Sequence, residues 1–331
     1  MLSSGHPAAF RNPSSAAFSA GLSEGSRHVR IIVIGKEGQV ARALAERAQV
    51  HGVTAVLLGR PALDLADPSG IEDILIETGG DLIVNAAAYT AVDQAEAERD
   101  LAEAINGVGA GVVAGVAAAM GVPVIHLSTD YVFDGSADRP YREEDKPDPL
   151  GAYGSSKLLG EQAVAAETPN HVILRTAWIY SPFGRNFVKT MLRLAGQREE
   201  IAVVADQHGS PTSALDIADG VIAVGRNLLA APQDQDLRGI FHMTGTGFTS
   251  WAEFASEIFA LSARFGGPSA RVRPIGTDDY PTSARRPANS RLDCRKLASR
   301  HGVTLPPWRL SLEACIKRLL EESHGQEDHR G

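Results

Sequence analysis

The stretch VRIIVIGKEGQVARALAERAQVHG, Val29 to Gly52, decides the reading of this chain. A short β-branched run ends at Gly35, and a helical pattern follows at once, with Val40, Leu44 and Ala48 on one face. Between them Gly35, Gly38 and Ala41 form a GxxGxxA turn. Gly35 permits a tight bend, Gly38 lets the backbone approach a pyrophosphate, and Ala41 keeps helix and strand close. The helix N-terminus offers free N–H groups and the positive end of its dipole to an anion. Outward from here the same unit recurs. VTAVLLG (53–59), DLIVNAAA (81–88), VPVIHLST (122–129) and HVILRTAWIY (171–180) read as further strands. The segments from Asp67, from Ala97 and from Tyr153 read as the intervening helices, with Asp67 expected to cap its helix and Pro68 to open it. Strands apolar on both sides, alternating with helices, predict an α/β fold: a doubly wound parallel Rossmann sheet.

Beyond Asp206 the alternation loosens. Helices are expected over 213–232 and 250–266, short strands over 240–245 and 271–276, and a Pro-, Ser- and Arg-rich loop over 277–293. The expected organisation is a flexible N-terminal tail over 1–28, a mainly NAD(P)-binding Rossmann domain over 29–206 and a mainly substrate-binding lobe over 207–322, with some interleaving. The smaller C-terminal lobe would cover the carboxyl edge of the sheet, where open α/β sheets bind ligands.

Composition narrows the function classes. A net charge of −8 and a pI of about 5.7 give no electrostatic case for a nucleic-acid partner. No run of about 18 uninterrupted apolar residues suggests a membrane span. The two cysteines, Cys294 and Cys315, form no disulfide framework or metal cluster, so no metal is expected, and a reducing cytoplasm is the natural compartment.

The second strand ends in LLGR, where an NAD-preferring site usually carries an acid. Arg60 can instead meet a 2′-phosphate, which tilts the expected cofactor slightly from NADH toward NADPH; a solvated arginine is the alternative. Asp64 and Leu65 are placed to meet the adenine amino group and ring, or to form a capping turn. Ala86, Ala87 and Ala88 leave room for a ligand against the backbone.

Thr129 closes the fourth strand, and Tyr153 and Lys157 share a face four residues apart on the next helix. A phenol with a pKa near 10 serves as an acid at neutral pH only where its phenolate is stabilised. Lys157 can supply that charge and hold the ribose hydroxyls of a nicotinamide. Thr129 offers a hydroxyl to the reacting oxygen. The set suits hydride transfer to a carbonyl, with Tyr153 protonating the developing alkoxide. Asn186, Lys189, Arg285 and Arg286 are polar or cationic groups that could meet a substrate diphosphate, or surface residues.

GKEGQV, DLIVNAAAYTAVDQAE, HLSTDYVFDG, PLGAYGSSKLLGEQAV, DQHGSPT and ARRPANSRLD together resemble the dTDP-4-dehydrorhamnose reductases of the extended short-chain dehydrogenase/reductase superfamily. The similarity runs from Val29 to the LPPW segment, and HLSTDYVFDG and RRPANSRLD are its most specific parts. It implies reduction of the 4-keto group of dTDP-4-dehydro-L-rhamnose by NADPH or NADH. It implies catalytic roles for Thr129, Tyr153 and Lys157, cofactor contacts from Gly38, Gln39, Val40, Asp64, Leu65, Ala86, Ala87, Ala88 and Leu127, and substrate contacts from Thr129, Asp130 and Trp178. Ala43 stands where some relatives carry an acid linked to a magnesium-bridged dimer, so a homodimer is left open and that bridge is not expected. Two alternatives stay beside it: a related nucleotide-sugar reductase or epimerase, and an NADP-binding regulatory subunit like that of methionine adenosyltransferase.

Overall fold

The computed structural model describes residues 28–327. The expected tail over 1–28 therefore lies, except for His28, outside the described residues.

Strands β1 (Arg30–Ile34), β2 (Thr54–Leu58), β3 (Leu82–Asn85), β4 (Val124–Thr129) and β5 (His171–Thr176) pair in parallel in the order β5-β4-β3-β1-β2. The sixth strand comes from the C-terminal part of the chain: Gly239–His242 pairs in parallel with β5. The alternating apolar runs thus produce the doubly wound sheet expected. However, the short IFHMTG segment, read as part of the second lobe, completes the main sheet. Conversely, Glu200–Val204 leaves the sheet and pairs with Arg271–Ile275. Period and composition cannot distinguish these choices, because pairing partners are set by packing.

Each face of the sheet has its own core. Ile31, Val33, Ile125 and Leu174 pack against helix α1 (Gln39–Val50) and the Ala214–Ala230 helix. Ile32, Ile34, Ile83 and Ile173 pack against helix α2 (Ile71–Thr78) and the long Arg99–Met120 helix. A separate core joins Val188, Ile201, Phe254, Trp308 and Ile316 beyond the sheet edge.

Two local expectations change. Asp67 does not cap α2: its carboxylate accepts from the Ser69 N–H and hydroxyl, and the helix starts at Ile71 after Gly70 at φ 79°. The Asp67 side chain closes a tight local turn instead, and glycine takes the left-handed step. The Arg99–Met120 helix is long and apolar enough to cross a membrane by length and composition. Its Ala110, Val113, Ala114 and Ala117 are instead buried in the core against the sheet. A π turn over Ala104–Val108 interrupts its regular spacing.

The Ala152–Glu167 helix packs closely on the turn after β4 and on the π turn of the Arg99–Met120 helix, because it carries glycines where those backbones approach. A Cβ at Gly154 would overlap the Tyr131 carbonyl, and one at Gly160 the Asn106 carbonyl. These contacts hold the first turns of the helix, with Tyr153 and Lys157, near the carboxyl end of the sheet.

Candidate active site

A cleft of about 740 Å³ runs along the carboxyl ends of β1 to β5. One end is a cradle of backbone. Gly35 sits at φ 118°, a conformation glycine adopts without strain, and its N–H donates to Leu58 O at 2.7 Å. Gly38 is extended at the N-cap of α1, and a Cβ there would meet nothing within 4 Å. No side chain caps α1, and its first turn holds no acid. The first N–H groups are thus left for a ligand. A dinucleotide's diphosphate fits this cradle.

Every residue expected to touch the cofactor lines the cleft: Gly35, Gly38, Gln39, Val40, Arg60, Asp64, Leu65, Ala86, Ala87, Ala88, Leu127, Tyr153 and Lys157. Leu65 does double duty, since it is also a core residue. The Asp64 carboxylate accepts from the Ala66 N–H at 3.0 Å, so its loop is preformed. Ser128 and Thr176 line the same cleft and were not anticipated. The Thr176 hydroxyl is buried without a partner among the described residues, beside Thr129 in register.

At the other end Thr129 is buried and its hydroxyl donates to Asp130 Oδ1 at 3.0 Å. The Tyr153 ring meets Tyr131 edge-on, with centroids 5.6 Å apart. Burial pushes the Tyr153 phenol up, and the Thr129 hydroxyl pulls it partly back. Lys157 is not what sets the phenol here, contrary to the sequence-based expectation. Its Nζ donates to Leu127 O at 2.6 Å and lies 3.2 Å from His126 Nε2, against β4. Burial lowers Lys157 to about 8, opposed by the charge of Glu161. Asp130 is raised to about 6 by burial, with hydrogen bonds from Ser290 and Thr129 working against the shift.

Beneath these groups lies a set of buried polar residues. Glu161, one turn beyond Lys157, pairs with Arg175 through contacts of 2.8 and 2.6 Å and accepts from the Ser128 hydroxyl at 2.5 Å. Arg175 is 1% exposed and Glu161 3%. Asn106, in the π turn, bridges Tyr89 to Ser156. Sequence reasoning missed these residues. The only available signal was Glu161 at helical spacing from Lys157, because register between strands is not written in either strand alone.

The candidate substrate residues divide. Arg286 donates to the Tyr131 hydroxyl at 3.1 Å and to Asp93 at 2.6 Å, so the closing loop is tied directly over the ring that meets Tyr153. Arg285 is exposed. None of the substrate candidates Thr129, Asp130, Trp178, Arg285 and Arg286 lines the cleft itself, and neither do Asn186 and Lys189. Asn186 caps the Phe187–Ala195 helix and donates to Gln39, Ser181 and Phe183, while Lys189 Nζ donates to Pro182 O. Their polar atoms fix the loop and, through Gln39, tie it to the start of α1. Trp178 lies two residues past the end of β5 rather than at it, at φ 49°. That backbone is unusual for a bulky residue. A stack on Trp251, with centroids 3.6 Å apart, holds it, and Gly209 leaves the room it needs.

Fold and cleft together define the class: a doubly wound α/β protein of the Rossmann type, with a second core folded over the carboxyl edge of its sheet. Residues 29–321 match the RmlD substrate binding domain family. The chain belongs to that family. It is 50% identical to the dTDP-4-dehydrorhamnose reductase of Sinorhizobium fredii over 294 residues, 89% of this chain and 99% of the relative. It is 40% identical to the enzyme of the same name from Escherichia coli K12, over 89% of this chain and 98% of that one. Among solved structures, the dTDP-4-dehydrorhamnose reductase of Bacillus anthracis, in complex with NADP, matches at a TM-score of 0.80 and 36% identity. That match covers 88% of this chain and 99% of the other.

Proposed function

We propose that this protein reduces the 4-keto group of dTDP-4-dehydro-L-rhamnose to give dTDP-L-rhamnose. The observation that carries the reading is one continuous cleft. It joins an anion cradle at Gly35–Gly38 to Tyr153, Lys157, Ser128 and Thr176 over the ends of β4 and β5, beside the buried Thr129. The names of relatives that share the whole length of the chain supply the substrate. NADPH or NADH, bound along this cleft, would supply the hydride.

The chain's own residues do the rest. Gly35, Gly38 and the α1 N-terminus hold the diphosphate by backbone groups, at no cost in side-chain entropy. Thr129 and Tyr153 converge on the site of the ketone oxygen. Tyr153 Oη gives its proton to that oxygen as negative charge develops there. Lys157, held against Leu127 and His126, offers its remaining N–H to the ribose hydroxyls and its charge to the reacting end of the cleft. Asp130 and Trp178 wall the sugar site, and Arg286 orients Tyr131 above it. Arg60, at the rim beyond β2, favours NADPH slightly. We assign residues 29–206 mainly to cofactor binding and 207–322 mainly to the substrate lobe. We place the protein in the cytoplasm, with a dTDP-sugar as its ligand, no nucleic-acid or membrane partner, and a homodimer as an allowed state.

The decisive experiment is oxidation of NADPH by the purified protein on addition of dTDP-4-dehydro-L-rhamnose. Turnover by the protein alone is expected. Cofactor binding without turnover would overturn the enzyme reading and favour an NADP-binding regulatory role.

A further inference from the structure

His126 belongs to no part of the machinery described so far, yet it lies against the ammonium of Lys157. It is 1% exposed, on the face of β4 that the Ala152–Glu167 helix covers, with Nε2 3.2 Å from Lys157 Nζ. We propose that His126 is a positioning residue for Lys157: its Nε2 accepts one ammonium proton while the Leu127 carbonyl accepts another, leaving the third directed at the cleft. The inference rests on the catalytic reading of Lys157 given above.

The direction of the bond follows from chemistry. An ammonium is only a donor, so the imidazole must accept at Nε2 and carry its own proton on Nδ1. Nδ1 has no partner among the described residues. A proton passed to His126 would therefore have no onward route, and the residue holds rather than relays. A lysine side chain has four rotatable bonds. Two acceptors from neighbouring positions of one rigid strand, Leu127 O at 2.6 Å and His126 Nε2, restrict them where one would leave the head free to swing.

The surroundings keep the imidazole neutral. Burial, the Lys157 charge and His171 all push its pKa well down. The remaining groups facing the pair are accounted for. Glu161 is committed to Arg175 and Ser128, Tyr153 lies one turn back on the same helix, and β3 presents the uncharged Asn85 in register with His126. A protonated His126 would turn from acceptor to donor and expel the ammonium, so the site works only with a residue that stays neutral there.

The test compares His126→Leu, His126→Gln and Lys157→Ala in the full chain. Measurements are cooperative melting, NADPH binding by fluorescence, and the pH profile of kcat/KM. H126L, which keeps volume and loses the acceptor, should lower kcat roughly tenfold to a hundredfold, the effect of misplacing a reacting group by about an ångström. It should also move the basic limb of the profile to lower pH by about one unit, since the charged form of Lys157 loses a bond. The KM for NADPH should rise while that for the keto sugar stays near wild type. H126Q, with an amide oxygen in place of Nε2, should restore both the limb and most of kcat. A wild-type profile in H126L would overturn the proposal, as would a loss that follows the melting temperature and is not rescued by glutamine. Should H126L fail to fold, His126→Asn, polar but too short to reach Nζ, is read in the same way against H126Q. Full activity in K157A would instead remove the catalytic reading of Lys157, an outcome separate from the His126 variants.

Discussion

The two ends of the cleft are built from opposite materials. At the β1–β3 end the protein offers backbone and very small side chains: Gly35, Gly38 and the Ala86–Ala88 run. Little charge is buried there. At the β4–β5 end the same sheet buries His126, Ser128, Lys157, Glu161 and Arg175 under a single helix. A binding end needs shape and unsatisfied N–H groups, which cost little to hold open at a solvent-facing helix terminus. A reacting end needs groups whose protonation is set by desolvation and by fixed neighbours. Their charges need partners, as Glu161 and Arg175 give each other, because a buried charge left alone is strongly unfavourable.

The contrast can be broken most sharply at Tyr153. Y153F removes only the hydroxyl, so kcat should fall by about 10²–10⁴-fold, the range for loss of a general acid, while NADPH affinity stays near wild type. Single-turnover kinetics and a cofactor titration would separate the two, and parallel loss of both would mean the ends are not independent. Next in size is the network below. E161A leaves the Arg175 guanidinium buried without its partner and should destabilise the fold by about 3–5 kcal/mol in urea denaturation. A variant of unchanged stability would show that water reaches Arg175.

At the binding end, G38V should fold normally, since its side chain meets open space and the backbone is extended. The added methyls would stand where the diphosphate lies, and kcat/KM for the cofactor should drop by about 10²-fold. An unchanged melting curve beside that loss would sharpen the distinction between shape and chemistry. The pH profile gives a smaller effect. Lys157 is lowered to about 8, so its ammonium is intact below that pH and lost as pH rises through it. The kcat/KM of the free enzyme should accordingly decline above about pH 8, and a plateau to pH 10 would detach Lys157 from the reaction. The smallest effect is expected from R60A, a several-fold loss of preference for NADPH over NADH, since an exposed charge contributes only about 1 kcal/mol. Equal ratios in both proteins would assign Arg60 to solvent.

The glycine turn, the alternating apolar strands and the helical i, i+4 placement of Tyr153 and Lys157 were all legible in the sequence. Each is a local feature, governed by backbone conformation or by the period of a single element. The sequence by itself therefore determined the Rossmann sheet, the glycine turn at its first strand and the shared helix face of Tyr153 and Lys157. It did not determine what those side chains touch. That Gly239–His242 joins the main sheet, that Asn186 reaches back to Gln39, and that Lys157 turns onto His126 depend on which elements pack together and in what register. Only the packed structure decides these, because a buried polar group takes whichever partner is in reach once water is excluded, and the partners here are 31 residues apart or more.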